Sequence, residues 1–371
     1  MNKLKIALVK QEVYQDLYVC PVTEKDPGQI LFSSMGRVGP IALMSDLNAD
    51  FYIVKEESNK ETRIYQKVIP HIAPYLHLLK TETLDKIPGQ EFKSPGSPYP
   101  NGKYAVSCYT IDWGQYDIVI SINISLPTQL ILKYPQTLFA YMIGEANMAT
   151  GKARFGYDAT LNQMARGRIS HKCGAIDFPY TFVAKDTLEK IMQQYLGRPS
   201  ARKGIFMEIN STTERPVTRI PDHFQPLADA GYEIILHQQK IADNLKNIYD
   251  AKYFVKMGGR SIRGNSVAEA VSLGTLAIMN RDEVIHHELI IDECNVKTMD
   301  EMISHINRLE NDPELYRTLQ QKQRQVLHTY FFDAPLQSLI NCLKEKRGLS
   351  KPRTYSRWNR LFDNLYFLKL R

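Results

Sequence analysis

The stretch Lys256-Met-Gly-Gly-Arg-Ser-Ile-Arg-Gly-Asn-Ser-Val-Ala-Glu269 gathers the residue types that hold phosphate. Gly258, Gly259 and Gly264 let the backbone turn sharply and approach a ligand closely. Lys256, Arg260 and Arg263 place fixed positive charge around Ser261. A helix opening at Asn265 or Ser266 would turn its free N–H groups and positive dipole end toward this loop. The chemistry is capture of an anion, a phosphate above all. The same residues also have a ligand-free reading, because Ser266-x-x-Glu269 is a capping box.

The elements that must position this loop read as a parallel α/β unit. Ala251–Val255 is an apolar strand before the loop, and Thr275–Met279 is a second strand after the helix. Upstream, strands over Gly204–Asn210 and Gly231–His237 alternate with helices over Asp222–Ala230 and Gln239–Tyr249. Strands and helices in this order imply right-handed βαβ crossovers. Ligands meet such sheets at the carboxyl ends of the strands, where the loops after Ile209, His237 and Met257 fall. Arg215, in the first of those loops, is placed to clamp phosphate. Helices over Thr298–Leu309 and Pro313–Tyr330 close the unit.

The first half is less regular. Lys5–Val9, Ala49–Val54 and Tyr116–Ile122 read as strands, and residues 86–103 as a loop rich in Pro and Gly. A helix over Asp186–Tyr195 precedes a linker at 196–203. The expected division is residues 1–195, the linker, 204–340, and a tail over 341–371.

A chain of 371 residues suits two domains, and its 43% hydrophobic and 23% charged composition is that of a globular protein. No run of about 18 apolar residues marks a membrane span. The start, Met1–Lys10, reads as a buried strand rather than a signal peptide. The five cysteines are scattered without a C-x-x-C pair, which points to neither zinc nor a disulfide framework and suits a reducing cytoplasm. The formal charge of +7 is local: residues 344–371 carry nine Lys/Arg and two Asp/Glu, leaving the rest neutral. In that tail Trp358, Leu361, Phe362, Leu365 and Phe367/Leu368 form a near-helical apolar stripe flanked by cations. Such a stripe suits the inner face of an anionic membrane, and equally suits packing on the protein. Nothing in it resembles a nucleic-acid reader.

Gly264-Asn-Ser-Val-Ala-Glu-Ala-Val-Ser-Leu-Gly-Thr275 resembles the donor-site signature of GT-B glycosyltransferases, near the retaining families with two glutamates separated by seven residues. The resemblance spans about residues 200–335. It implies an α/β fold of two Rossmann-like domains facing across a cleft, with a C-terminal helical tail. It matches Glu269 to the second glutamate, which in the family accepts hydrogen bonds from the nucleotide ribose. The first glutamate would fall at Ser261, so that carboxylate is missing. It also implies a glycine loop near the donor phosphates in the first domain, where Gly36, Arg37 and Gly39 stand.

The implied activity is transfer of a sugar from a nucleotide-sugar donor to a glycan or lipid-linked acceptor in surface polysaccharide synthesis. The nucleotide-sugar is a co-substrate, and no other cofactor is expected. A helix N-terminus with Arg and Lys can stabilise a departing diphosphate without metal, and no Asp-x-Asp occurs in the chain. Adjacent His286 and His287 point to different faces, unlike a zinc pair. The candidates for a general base are Asp16, Asp112 and Glu145. A retaining enzyme, slightly favoured, needs none, since the donor phosphate can take the proton. The alternatives are a sugar-nucleotide epimerase of the same fold and an inactive phosphate-ligand binding protein.

Overall fold

In the computed structural model the described residues are 4–11, 47–54, 76–79, 110–122, 126, 128–143, 156–162, 176–178, 187–208, 217–238, 241–259, 261–262 and 265–351. They fall into two compact units.

The first unit holds the described residues of Met1–Tyr14, Leu47–Tyr180 and Ala334–Arg371. Its seven strands are β1 (Ile6–Gln11), β2 (Asp50–Val54), β3 (Leu76–Leu79), β4 (Ile118–Ile122), β5 (Leu138–Ile143), β6 (Ala159–Asn162) and β7 (Ile176–Asp177). They form one all-parallel sheet in the order β3-β2-β1-β4-β5-β6-β7. Chain direction across the sheet reverses between β1 and β4. β4 is buried along its whole length, as a strand covered on both faces must be. Val119, Phe139, Tyr141, Leu130 and Trp113 share one core cluster, with Leu130 supplied by α1 (Thr128–Leu132). The strand expected over Tyr116–Ile122 starts at Ile118 instead. Asp117 is diverted to accept the Lys5 amide at 2.9 Å, and Tyr116 donates to Asp50 at 2.6 Å.

The second unit runs, in its described part, from α2 (Thr187–Leu196) to Asp333. Its strands β8 (Ile205–Met207), β9 (Ile234–Ile235), β10 (Tyr253–Lys256) and β11 (Leu276–Met279) make a parallel sheet in the order β11-β10-β8-β9. The crossovers carry α3 (Gln225–Asp229), α4 (Ile241–Asp250) and α5 (Asn265–Ser272). α6 (Met299–Asn311) and α7 (Pro313–His328) cover the sheet, and Met302, Ile306, Leu309, Tyr316 and Leu319 enter its core. Thr298 caps α6 through a reciprocal pair with Glu301, the arrangement that satisfies orphan donors at a helix start. The helix expected to reach Tyr330 changes at Thr329 into a π-helical turn ending at Asp333.

Both units are thus α/β with parallel sheets, the fold class expected from the sequence. The division differs from the expected one. α2 packs with the second unit, so residues 196–203 lie inside that unit. α8 (Ala334–Arg347), which spans the expected boundary at 340 between the second domain and the tail, belongs to the first unit. Lys346 on α8 donates to the Thr137 carbonyl and to Asp158, at 2.6 and 2.8 Å. Arg347 donates to the Gln136 carbonyl and to Asp117, at 3.0 and 2.7 Å. These two tail cations are therefore fixed on the protein. Among the described residues no helix is long and apolar enough to cross a membrane.

Candidate functional site

In the second sheet the chain runs outward one way from β8 to β9 and the other way from β10 to β11. The topological switch point therefore lies between β8 and β10, and ligands of open α/β sheets bind beyond the carboxyl ends at such a point. β8 ends there at Met207, with Glu208 next, and β10 ends at Lys256, which the glycine turn follows directly.

Gly258 and Gly259 have φ values of +70° and +74°. Two successive residues in the left-handed region strongly favour glycine. The turn is held by Glu283, which follows β11 in a short 3₁₀ turn (Arg281–Glu283). One Glu283 carboxylate oxygen accepts the Gly258 amide at 2.9 Å, and the other accepts Lys256 Nζ at 2.6 Å. Lys256 Nζ also donates to the Gly258 carbonyl at 2.6 Å. The Glu283 carbonyl accepts the Ile262 amide, and Ile285 donates back to Ile262, both at 2.9 Å. Glu283 therefore fastens both ends of the turn.

This assigns Lys256 a different task from the one its charge suggests. Its side chain is 0% exposed, and its ammonium is committed to Glu283 and Gly258. It shapes the loop rather than presenting charge to a phosphate. Glu283 had no signal in the sequence, because it stands 27 positions away in a separate loop.

α5 begins at Asn265, so Ser266 lies in its first turn and does not bracket its start as the N-cap of a Ser266–Glu269 box. Val267, Ala268, Ala270 and Val271 are buried, whereas Asn265, Ser266 and Glu269 are half-buried. The first-turn amides of a helix have no partner within it. Asn265 Oδ1 is buried and without a hydrogen-bond partner among the described residues. Ser261 is exposed in the turn.

Two buried polar groups that sequence reasoning did not single out, Glu208 after β8 and His237 after β9, meet beside the other strand end. Glu208 Oε1 lies 3.8 Å from His237 Nε2, and both residues are buried. Asn244 of α4 lies 3.3 Å from the His237 ring and accepts the Gln238 amide at 2.6 Å.

Several expected site residues lie outside the described residues: Arg215, Arg260, Arg263, Gly264, Asp16, Glu145, and Gly36, Arg37 and Gly39 of the first-domain loop. Asp112 is described, and it stands at the turn before β4. It caps the 3₁₀ turn Trp113–Gln115 by accepting the Gly114 amide at 3.0 Å. That turn leads into the amino end of β4, the edge opposite to the one where ligands bind. His286 is buried and edge-on to Tyr330 and Phe331. Among the described residues no group of His, Cys, Asp and Glu could hold a metal ion. Cys294 is buried, and burial pushes its thiol up to about 12, so it is no nucleophile.

No protein-family model matches the chain. No curated protein matches it. Solved structures do, across nearly the full length and at low identity. One is the DNA-modifying enzyme beta-glucosyltransferase, studied with uridine diphosphoglucose, at 11% identity and a TM-score of 0.40, covering 93% of this chain and 100% of that one. A second is sucrose-phosphate synthase from Thermosynechococcus elongatus, at 13% and 0.45, covering 92% and 99%. A third is UGT73P12 of Glycyrrhiza uralensis, complexed with glycyrrhetinic acid 3-O-monoglucuronide, at 11% and 0.43, covering 99% and 100%.

Proposed function

We propose that this chain is a glycosyltransferase that uses a nucleotide-sugar donor and holds the donor diphosphate at the glycine turn and α5. The observation that carries the reading is the placement of that turn. Two left-handed glycines, stapled by Glu283, lead into a helix N-terminus at the switch point of a parallel sheet. Free amides and a positive dipole end at such a place favour an anion. Arg260 and Arg263 flank the turn in sequence, and Arg215 follows β8. Together they can neutralise the charge that grows on a departing diphosphate, which is the main electrostatic demand of glycosyl transfer. Glu269, one turn into α5, is the residue that the GT-B resemblance gives to the ribose.

Metal independence follows from this division of labour, because helix dipole and guanidinium groups supply the charge that a divalent ion would otherwise bring. Retention is favoured on the resemblance, with the donor phosphate as proton acceptor. Asp16, Asp112 and Glu145 stay as the candidates for a base in an inverting reaction. We place the reaction in surface glycan synthesis, with a glycan or lipid-linked acceptor. Six cations and the aromatic stripe beyond Ser350 would hold the protein at an anionic membrane face.

The reading is tested by calorimetric titration of a nucleoside diphosphate into the chain and its variants. Glu269→Ala and Arg263→Ala should each weaken binding by about 1–3 kcal/mol, the scale of a lost charged hydrogen bond. Unchanged affinity in both folded variants would remove the donor site from this loop. Incubation with nucleotide-sugar and no acceptor separates the runner-up, since an epimerase converts the donor alone.

A further inference from the structure

The far end of α5 is organised around Arg202, a residue in the stretch 196–203. α5 ends at Ser272, and Gly274 two residues on has φ +80°. The Gly274 amide returns to the Val271 carbonyl at 3.0 Å and the Thr275 amide to Ala270 at 2.8 Å. These are the paired bonds of a left-handed helix stop. The carbonyls of Leu273 and Gly274 lie beyond those bonds. Arg202 Nη2 donates to the first, and Gln320 of α7 donates to the second.

The same guanidinium reaches further. Arg202 Nη1 donates to Thr275 Oγ1 at 3.2 Å and lies 3.5 Å from the Tyr249 carbonyl, near the end of α4. Arg202 Nη2 also meets Glu189 of α2 at 2.7 Å, and the other oxygen of that carboxylate takes Arg324 of α7. Thr275 Oγ1 in turn donates to the Ile248 carbonyl at 2.6 Å. A Cβ at residue 274 would overlap the guanidinium groups of both Arg202 and Arg324. Arg202 itself sits at φ +48°, a backbone state that non-glycine residues seldom take, just before β8. One side chain therefore joins the carboxyl ends of α4 and α5 at the entry to β8. Those elements flank the switch point from behind.

α5 has eight residues, so its ends are about 12 Å apart. A rod that short turns a shift at one end into a tilt at the other. A cation at its C-terminus also complements its dipole. Glu283 fixes the turn in front of the helix, and Arg202 fixes its back. We infer that Arg202 is a positioning residue for the donor site: by holding the C-terminal end of α5, it aims the N-terminal amides at the donor phosphates. This rests on the donor reading given above.

The test uses the full chain, treated with EDTA, and titrates UDP, GDP, ADP, CMP and dTDP, followed by the parent nucleoside of the one that binds. The variants are Arg202→Ala, Arg202→Lys and Gly274→Ala, measured at a temperature where each is folded. Arg198→Ala is the control. It breaks a two-bond pair with Asp250 at the same edge, at 2.7 and 2.5 Å, without touching α5. The expected result is a rise in Kd for the nucleotide of about 3- to 10-fold in Arg202→Ala and Gly274→Ala, within the range for residues that act on a ligand without touching it. Nucleoside affinity should hold, Arg202→Lys should recover part of the loss, and Arg198→Ala should stay at wild-type affinity. A purely structural role would lower Tm and leave Kd alone. Wild-type Kd in folded Arg202→Ala, or in Gly274→Ala if the first does not fold, overturns the inference while the donor reading stands. No binding to the wild-type chain overturns both.

Discussion

Breaking the Lys256–Glu283 pair probes the glycine turn most sharply. In Glu283→Ala the Lys256 ammonium, 0% exposed, keeps only the Gly258 carbonyl at 2.6 Å. The Gly258 amide loses its acceptor at 2.9 Å as well. Removing one partner of a buried pair costs about 3–5 kcal/mol, because a charge stays buried without compensation. For a unit of 185 residues (32 in Gln15–Asp46 and 153 in Thr181–Asp333), each kcal/mol is worth about 2–4 °C in Tm, so the unit should melt some 6–20 °C lower. Urea or thermal unfolding followed by circular dichroism reads this. Fluorescence is a poor reporter, since neither tryptophan lies in the second unit. Replacing both charges, with Lys256→Met and Glu283→Leu, removes the uncompensated ion and should recover most of the stability. It should not recover nucleotide binding, because the Gly258 amide still lacks its acceptor. A loss below about 1 kcal/mol in Glu283→Ala, or a double variant no more stable than the single one, would refute a buried pair as the staple of the turn.

Three further outcomes follow from other parts of the molecule. Gly258→Ala should lose about 1–2 kcal/mol in urea unfolding, because the space is open but φ is +70°. Burial pushes the Asp117 carboxyl up, but the Lys5 amide and Arg347 outweigh it and hold the group below its ordinary 3.8. A depressed folded-state value gives stability above the ordinary value that is lost as pH falls below it. Asp117→Asn should thus lower Tm near pH 7, with the gap from wild type closing as pH falls below 3.8 and through the lowered folded-state value. Truncation after Ser350 removes six of the nine cations of residues 344–371 and leaves Lys346 and Arg347 in place. It should abolish co-sedimentation with anionic phosphatidylserine vesicles, at about 1 kcal/mol per cation, and leave nucleotide affinity unchanged.

The second unit was largely legible in the sequence. Apolar β-branched runs bounded by glycine placed β8, β10 and β11 within a residue or a few, and alternation with helices fixed the parallel sheet. In the first unit β3, β5, β6 and β7 left weak marks. Leu138-Phe-Ala-Tyr-Met-Ile143 suits a helix interior as well as a strand, and β7 spans only two residues. Their identity comes from pairing along β4 and its neighbours, which is long-range. The candidate loop was legible in its glycines, since positive φ at 258 and 259 asks for that residue. The role of Lys256 was not, because a lysine beside a glycine loop reads the same whether its partner is a phosphate or a buried Glu283. Arg202 shows the same limit. Leu196-Gly-Arg-Pro-Ser-Ala-Arg-Lys203 has the composition of a linker, yet Arg198 and Arg202 bond the ends of helices that are about 50 and 70 residues away.

The central claim is that the turn and α5 bind the diphosphate of a nucleotide without metal. Thermal unfolding of the purified chain with UDP, GDP, ADP, CMP and dTDP, in EDTA and then in magnesium, tests it directly. A bound nucleotide at about 100 times its Kd adds roughly 2.7 kcal/mol of stability. The account predicts such a shift with at least one nucleoside diphosphate in EDTA, undiminished without magnesium. No shift with any of them, or a shift only when magnesium is present, would contradict it.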